Sequence, residues 1–327
     1  MLYDNHGRKI NYVRLAVTDR CNLRCYYCMP ENGIRYVKRA DLLSFEEMER
    51  LMRIFSELGI NKLRITGGEP FVRKGIMEFL GKMSSIEKIE QIHITTNGTF
   101  TKDYVNDLEQ LGIKSVNLSL DSLDKERFIE ITRRDMFDKV MDTFHTLLDS
   151  SIKVKINMVV MEGRNIEDIE SMLELTRHND VAVRFIEEMP FNGSGGNPTF
   201  WPMKKILAHV KDLHPELIKL DDPAASTSVN YQIPGFRGSF GIIAAFTRTF
   251  CGSCNRIRIT PQGTLKTCLY DNGGMSFRDI LRSGASDEEI AESLIKAMGN
   301  RYKDGFEAEN DRGSSRPVSE SMATIGG

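Results

Sequence analysis

The chain's six cysteines fall into two groups of three. The first group lies in Thr18-Asp19-Arg20-Cys21-Asn22-Leu23-Arg24-Cys25-Tyr26-Tyr27-Cys28, a CxxxCxxC spacing directly after an apolar, strand-like run. The second is Cys251-Gly252-Ser253-Cys254, joined by Cys268 after thirteen intervening residues. Three thiolates crowded into one loop suit a metal centre better than a packed core. A cubane iron–sulfur cluster takes four cysteine ligands, one per iron, so a loop offering three leaves one iron open for chemistry. A structural zinc wants a fourth protein ligand. Near the first group only His6 offers one, and no histidine lies between Cys251 and Gly327. The second group also reads as half of a zinc ribbon, its third cysteine returned by a hairpin turning at Pro261-Gln262-Gly263. An open-iron cluster is the reading favoured for both. Disulfides fit the clustering poorly, and with no secretory signal in view a reducing, cytoplasmic setting is expected.

Composition narrows the remaining classes. With 327 residues, 40% hydrophobic and 28% charged, the chain is in the range of ordinary globular proteins, with about two domains as a length prior. A net charge of −2 argues against a surface built for non-specific nucleic-acid binding. No window approaches the ~20 apolar residues of a membrane helix. Neither nucleic acid nor membrane is therefore expected as a partner.

The elements that must position the cysteines alternate in type. Strands are expected at Asn11–Thr18, Asn61–Thr66, Gln91–Thr96, Lys114–Leu120, Lys153–Val160 and Val181–Glu187. Helical periodicity covers Ser44–Leu58, with a capping box from Ser44 and Glu47, then Lys74–Ser84, Lys102–Leu111, Met136–Ser150 and Asn165–His178. This alternation predicts a parallel sheet with helices outside. Each strand has one apolar face and one polar, often cationic face. Val13 and Leu15 oppose Tyr12 and Arg14; Leu63 and Ile65 oppose Lys62 and Arg64; Val154 and Ile156 oppose Lys155. Burying such polar groups unpaired costs roughly 1–3 kcal/mol each, so the polar face must enclose water or a charged ligand. A curled, incomplete parallel barrel with a lumen satisfies this, whereas a half-exposed flat sheet sits awkwardly with helical crossovers.

Parallel α/β folds place their chemistry at strand ends. Strand one runs into the cysteine loop, and strand two ends in Thr66-Gly67-Gly68-Glu69-Pro70, where two glycines would present free N–H and C=O groups to a ligand. Residues 1–200 are read as the barrel and 201–327 as an auxiliary region. The latter has a connecting Gly-rich stretch (192–198) just before it, a helix near Pro202–Leu213, short strands at Val229–Ile233 and Phe240–Ala245, a helix at Asp287–Met298 and a polar tail of the kind usually disordered. Arg256 and Arg258 alternate on one strand face, where guanidinium suits phosphate.

Together these motifs resemble the radical S-adenosylmethionine superfamily: CxxxCxxC with an aromatic before the last cysteine, a Gly-Gly-Glu-Pro strand end and a polar fourth strand. The second cysteine set, the Arg-x-Arg after Cys254 and the Gly-Gly terminus resemble one family within it, the GTP 3′,8-cyclases of molybdenum-cofactor biosynthesis. The resemblance runs from about residue 8 to 327. It implies an incomplete (βα)6 barrel, two [4Fe–4S] clusters on Cys21, Cys25, Cys28 and on Cys251, Cys254, Cys268, and S-adenosylmethionine on the open iron of the first. The implied reaction is abstraction of the ribose 3′ hydrogen of GTP, closing 3′,8-cyclo-7,8-dihydro-GTP.

Residue by residue, the resemblance implies S-adenosylmethionine contacts from Tyr27, Gly68, Ser119 and Met189. It implies GTP contacts from Arg14, Arg64, Thr95, Lys155, Arg256, Ile257 and Arg258. Arg184, on the same polar face, is expected to join them. Gly326 and Gly327 match a tail that the family inserts into its active site. An external low-potential electron donor and a downstream cyclic pyranopterin monophosphate synthase are the implied partners; homodimerisation is a family expectation that no interface pattern here supports. Two other readings stay open at this level. One is a radical enzyme acting on a peptide, which would need a wide acidic or peptide-lined cleft. The other is a non-enzymatic iron–sulfur sensor, which leaves the cationic face unexplained.

Overall fold

The computed structural model describes residues 1–189, 191, 201–311 and 321–326. The first six strands are β1 (Tyr12–Ala16), β2 (Lys62–Thr66), β3 (Gln91–Thr96), β4 (Ser115–Ser119), β5 (Lys153–Val160) and β6 (Ala182–Glu187). Between them lie α1 (Phe45–Glu57), α2 (Ile76–Ser84), α3 (Val105–Gln110), α4 (Lys125–Thr132), α5 (Phe137–Leu148) and α6 (Asp168–His178). The sequence of residues 44–47 sets the start of α1: Ser44 caps the helix and Glu47 returns a bond to the Ser44 N–H. Helix α4 has no counterpart in the sequence reading. It is two turns long, too short for its periodicity to stand out, and is started by the Asp124 side chain accepting from the Arg127 N–H.

After residue 200 come α7 (Met203–Leu213), β7 (Ile218–Lys219), β8 (Ser228–Gln232), β9 (Ser239–Ile243), β10 (Arg256–Ile259), β11 (Thr264–Lys266), β12 (Met275–Ser276), α8 (Phe277–Arg282), α9 (Asp287–Met298), α10 (Gly305–Asp311) and α11 (Met322–Ile325). The twelve strands among the described residues form one sheet, in the order β12-β11-β10-β1-β2-β3-β4-β5-β6-β9-β8-β7. The six-stranded parallel core is therefore extended on both edges by strands from the second part of the chain. β10 adds parallel to β1 and β9 parallel to β6. The division at residue 200 is one of sequence order, not of separate sheets. The Gly-rich stretch 192–198 lies outside the described residues.

The two-sided character of the strands persists in three dimensions. Val13, Leu15, Leu63, Ile65, Ile94, Val116, Ile156 and Phe185 are fully buried in one apolar cluster with helix residues such as Leu51, Phe55, Leu80 and Phe144. The opposite face carries Arg14, Arg64, Asn117, Lys155 and Arg184 into a single large cavity. Burying the first face supplies the stabilisation, at roughly 1.5–3 kcal/mol per large apolar side chain. The second face is left for a ligand.

Candidate active site

The pairing of β10 with β1 places the two cysteine groups. Cys21, Cys25 and Cys28 follow the C-terminal end of β1, whereas Cys254 precedes the N-terminal end of β10, which runs parallel to it. Cys268 follows β11, which returns antiparallel from β10 and so reaches the same end as Cys254. The two triads thus stand at opposite ends of the lumen, separated by a strand length of about 15 Å. Both line the same cavity, and none of the six cysteines is in a disulfide.

The donor sets fit iron–sulfur clusters. Burial pushes the Cys25 thiol well above its ordinary value, with Asp121, Cys21 and Cys28 adding to it; Cys28 is pushed up to about 12 and Cys21 to about 11. Mutually repelling, buried thiols of this kind become thiolates only when a cation takes the proton's place. Among the described residues no three His, Cys, Asp or Glu side chains are close enough to share one metal ion. His6, the one histidine near the first triad in sequence, is bonded through Nε2 to the Arg301 carbonyl (2.8 Å) beside the second.

Several neighbours hold the first loop in shape. The Tyr27 hydroxyl donates to Asp121 (2.9 Å), and the Asn97 amide lies 3.7 Å from the Cys21 sulfur. Asp121 in turn accepts from the Val159 N–H at 2.8 Å, which ties the loop to β5. The Gly67-Gly68 corner behaves differently from the sequence expectation. The Gly68 and Glu69 N–H groups are not free for a ligand: Gly68 donates to Thr18 (2.7 Å) and Glu69 to Arg20 (2.8 Å). A Cβ on Gly67, at φ +150°, would lie 2.5 Å from the Thr18 carbonyl, and one on Gly68 would run into the Arg20 carbonyl. The glycines are there so that the end of β2 can lie against the backbone leading into the cysteine loop. Glu69, fully buried, accepts from Phe71 N–H, Asn97 N–H and Thr96 Oγ1, and burial pushes its carboxyl up to about 7 despite those bonds.

Between the triads lies a bank of cations. In register across the strands, Arg258 stands beside Arg14, and Arg14 beside Arg64; one residue pair nearer the second triad, Arg256 stands beside Tyr12, and Tyr12 beside Lys62. Lys155 and Arg184 complete the wall from β5 and β6. Among the described residues, none of Lys62, Arg64, Lys155, Arg184, Arg256 or Arg258 is ion-paired with a carboxylate. Arg64 donates instead to the Tyr12 hydroxyl (2.5 Å) and Thr95 (3.4 Å). Arg184 Nε, Arg256 Nη2 and the side-chain oxygens of Asn117, Asn157 and Thr66 are buried with no hydrogen-bond partner. Burial, then neighbouring charge, weakens these bases: Arg184 falls to about 10 beside Arg64, Arg258 to about 10 beside Arg256, and Lys155 to about 7 beside Arg184 and Arg64. Burial also raises the Tyr12 phenol, but Arg64 and Arg14 together outweigh it and bring the group down to about 8. Like charges held side by side in a dry site are destabilising until a polyanion arrives.

Most expected site residues meet here. Tyr27, Gly68, Ser119, Met189, Arg14, Arg64, Thr95, Lys155, Arg184, Arg256 and Arg258 all line the cavity. Ile257 does not. It alternates with the two arginines, so its side chain is fully buried in the helix-facing core and leaves only backbone near the lumen. Tyr12, Lys62, Asn117 and Asn157 line the cavity as well. Strand parity already sets them on the polar face, although the resemblance assigns them no ligand contact. Gly327 lies outside the described residues. The described tail residues, 321–326, are not the disordered segment expected: Ala323 and Ile325 are buried in α11. Ser321 donates to the Cys28 carbonyl (2.6 Å), Ile325 packs with Phe191 and Tyr270 near Cys268, and Arg258 donates to the Gly326 carbonyl. A Cβ at Gly326 would meet Thr66 Oγ1 at 2.7 Å, so the chain fits there only without a side chain.

Comparison with known proteins places this geometry. The chain matches the Radical SAM superfamily over residues 15–176 and Molybdenum Cofactor Synthesis C over residues 181–306. It is 40% identical over 323 residues to a GTP 3′,8-cyclase of Syntrophomonas wolfei, covering 95% of this chain and 98% of that one. It is 41% identical over 304 residues to molybdenum cofactor biosynthesis protein 1 of Bos taurus, covering 92% of this chain and 48% of that one. The chain thus spans about half the length of the vertebrate relatives it matches. The fold is that of Streptococcus suis SuiB, with a TM-score of 0.65 at 15% identity over 97% of this chain and 77% of that one. Membership of the superfamily implies S-adenosylmethionine and a [4Fe–4S] cluster. No helix among the described residues is long and apolar enough to cross a membrane. The chain is a radical SAM protein and belongs to the family that contains the GTP 3′,8-cyclases.

Proposed function

We propose that the chain converts GTP to 3′,8-cyclo-7,8-dihydro-GTP, the first step towards the molybdenum cofactor. One observation carries the reading: a single cavity has a cysteine triad at each end and uncompensated arginines and lysines between them. Cys21, Cys25 and Cys28 would hold the first cluster, which together with S-adenosylmethionine would supply the radical chemistry for abstraction of the ribose 3′ hydrogen. The protein's own work is placement. Tyr27, Ser119, Met189 and the backbone at Gly68 form the wall near the first triad, where they bind S-adenosylmethionine. Arg14, Arg64, Lys155, Arg184, Arg256 and Arg258, with Thr95, hold the triphosphate and ribose in a site of low dielectric, where each charged hydrogen bond is strong. Cys251, Cys254 and Cys268 hold a second [4Fe–4S] cluster at the guanine end. The tail, through Gly326 on Arg258 and Thr66, closes the lumen against water.

The electron enters from outside. The outer face of the first loop carries Arg20 and Arg24 over the Tyr36 ring (5.7 and 5.9 Å) and Arg133 over exposed Tyr26 (5.4 Å). These arginines have no ion-pair partner among the described residues, and the patch suits a low-potential donor with an acidic face.

Anaerobically reconstituted protein given S-adenosylmethionine, a strong reductant and GTP is expected to form 5′-deoxyadenosine in a GTP-dependent manner. Equal stimulation by ATP, or none by GTP, removes the cyclase reading and leaves a peptide enzyme or a sensor.

A pH dependence follows from Lys155. In the free protein its amine is held near 7, and a bound triphosphate stabilises the charged form. Below pH 7 the amine is already protonated and affinity is flat. Above it, binding must take up a proton, and affinity falls by up to about tenfold per unit. Tyr12, deprotonating near pH 8, works in the same direction by cancelling positive charge. Calorimetric titration with GTP between pH 6 and 9 should show this slope, and Lys155→Arg, which stays charged, should remove most of it.

A further inference from the structure

The structure assigns to Arg301, oriented by Asp4 and Arg8, the task of positioning the second cysteine triad and donating a hydrogen bond to its cluster. This rests on the reading of that triad as a cluster site. Arg301 follows α9 and is 4% exposed. A guanidinium has five N–H donors in a fixed fork. All five are used here: Nε on the Thr267 carbonyl (3.0 Å), Nη1 on Asp4 Oδ2 (3.1 Å) and the Cys254 carbonyl (2.9 Å), and Nη2 on the Arg256 carbonyl (2.7 Å) and the Cys254 sulfur (3.2 Å).

These acceptors flank the triad. Cys254 is a member, Thr267 precedes Cys268, and Arg256 begins β10. One planar group therefore fixes the spacing between the Cys254 and Cys268 segments. The Cys251 segment is held by a second guanidinium on the same carboxylate. Arg8 Nε donates to Asp4 Oδ2 (2.6 Å), and Arg8 Nη1 donates to the Cys251 carbonyl (3.0 Å). Asp4 is itself fully buried at its side chain, so both arginines are locked to one point. The residues from 4 to 8 thus belong to the second metal site although they stand next to the first in sequence.

Two effects follow for a cluster bound there. Fixed spacing makes the triad competent to take up iron. A charged N–H aimed at a ligating sulfur stabilises the reduced, more negative state and so raises the potential. Arg301 does not touch the substrate in this assignment and is a positioning residue.

The test uses the full chain, reconstituted anaerobically, with iron and sulfide assays and a redox titration followed by electron paramagnetic resonance. Wild-type protein is expected to hold about eight irons in two four-iron clusters. About four would overturn the two-cluster reading itself, independently of Arg301. Given two clusters, Arg301→Met should either lose the second cluster's iron or keep it with a lower midpoint potential, while the first cluster's signal stays put. Arg301→Lys keeps the charge but cannot span five acceptors, and should show the same direction of change. Asp4→Asn releases both guanidiniums from their shared anchor and removes a nearby negative charge, so it should change the second cluster's potential or iron content while the first cluster's signal stays put. Full iron and an unchanged second potential in Arg301→Met, or wild-type behaviour in Arg301→Lys, would overturn the assignment. A variant that fails to fold is recognised by loss of both clusters, and Asp4→Asn then decides: no change in the second cluster's potential or iron content refutes the clamp.

Discussion

Replacing Gly68 with alanine is expected to abolish S-adenosylmethionine cleavage and to deplete the iron bound at Cys21, Cys25 and Cys28. The added methyl would run into the Arg20 carbonyl, with the Asp19 carbonyl 3.0 Å away. Neither is a flexible side-chain end; both are backbone one and two residues before Cys21. The clash can be relieved only by moving β2 or the loop. β2 is pinned on both sides by β1 and β3, and its apolar face is fully buried. The loop is the softer element, so it shifts, breaking the Gly68 and Glu69 N–H bonds to Thr18 and Arg20. Overpacking of this kind costs typically 1–3 kcal/mol in stability, but the functional loss is larger. A misplacement of ~1 Å at a reacting centre costs on the order of 10²-fold in rate. Gly81→Ala is the control, since its methyl would meet only Leu111 Cδ2 at 3.9 Å. Iron content and 5′-deoxyadenosine yield decide the matter: a Gly68→Ala protein with full iron and normal cleavage would show that the corner is not under the constraint described.

Arg184→Met is expected to move stability and binding in opposite directions. Arg184 sits on the lumen face with Nε unpartnered, and burial followed by Arg64 weakens its base to about 10. The uncharged side chain of similar length relieves both the desolvation and the repulsion. The protein without nucleotide should therefore unfold at higher denaturant, by about 1–2 kcal/mol. The same change removes a charged contact to the triphosphate, worth roughly 1.5–3 kcal/mol, or on the order of 10- to 100-fold in GTP affinity. Chemical denaturation with and without GTP reads both quantities, because a ligand adds stability in proportion to the logarithm of its saturation. A variant less stable than wild type, with unchanged GTP affinity, would place Arg184 in the scaffold.

These two residues mark how much was legible in the chain. Arg184, like Arg14, Arg64 and Lys155, was visible because strand side chains alternate with a period of two, and a cation opposite Val183 and Phe185 has only one place to point. The same rule, applied one residue further, excludes Ile257 from the lumen and adds Tyr12, Lys62, Asn117 and Asn157. The Gly67-Gly68 corner was visible as a place of close approach, but the sequence does not say what approaches. It is the backbone of Thr18 and Arg20. Least legible was the cage around the second triad. Nothing local in Asp4, Arg8 or Arg301 announces that they meet, since the contacts run between opposite ends of the described chain. The tail helix was hidden for a related reason. Residues 321–326 are too few for periodicity, and their order comes from Cys28, Arg258 and Thr66.

The pairing of β10 with β1 also sets an order of assembly. Asn255 and Asn11, bonded at 2.8 Å, are 244 positions apart, so this contact closes a very long loop. Contacts of such high sequence separation form slowly. During synthesis β1 can pair with β2 long before β10 exists, and until then its other side is an open edge able to recruit foreign strands. The ligands of the first triad are all present within eight residues of early chain, so that loop is free to acquire iron on a partly made protein. The second triad gains its full set of holders only when residue 301 has docked on residue 4. The two cysteine sites are thus completed in sequence. A chain halted before β10 would carry the first triad without the opposite wall of the cavity.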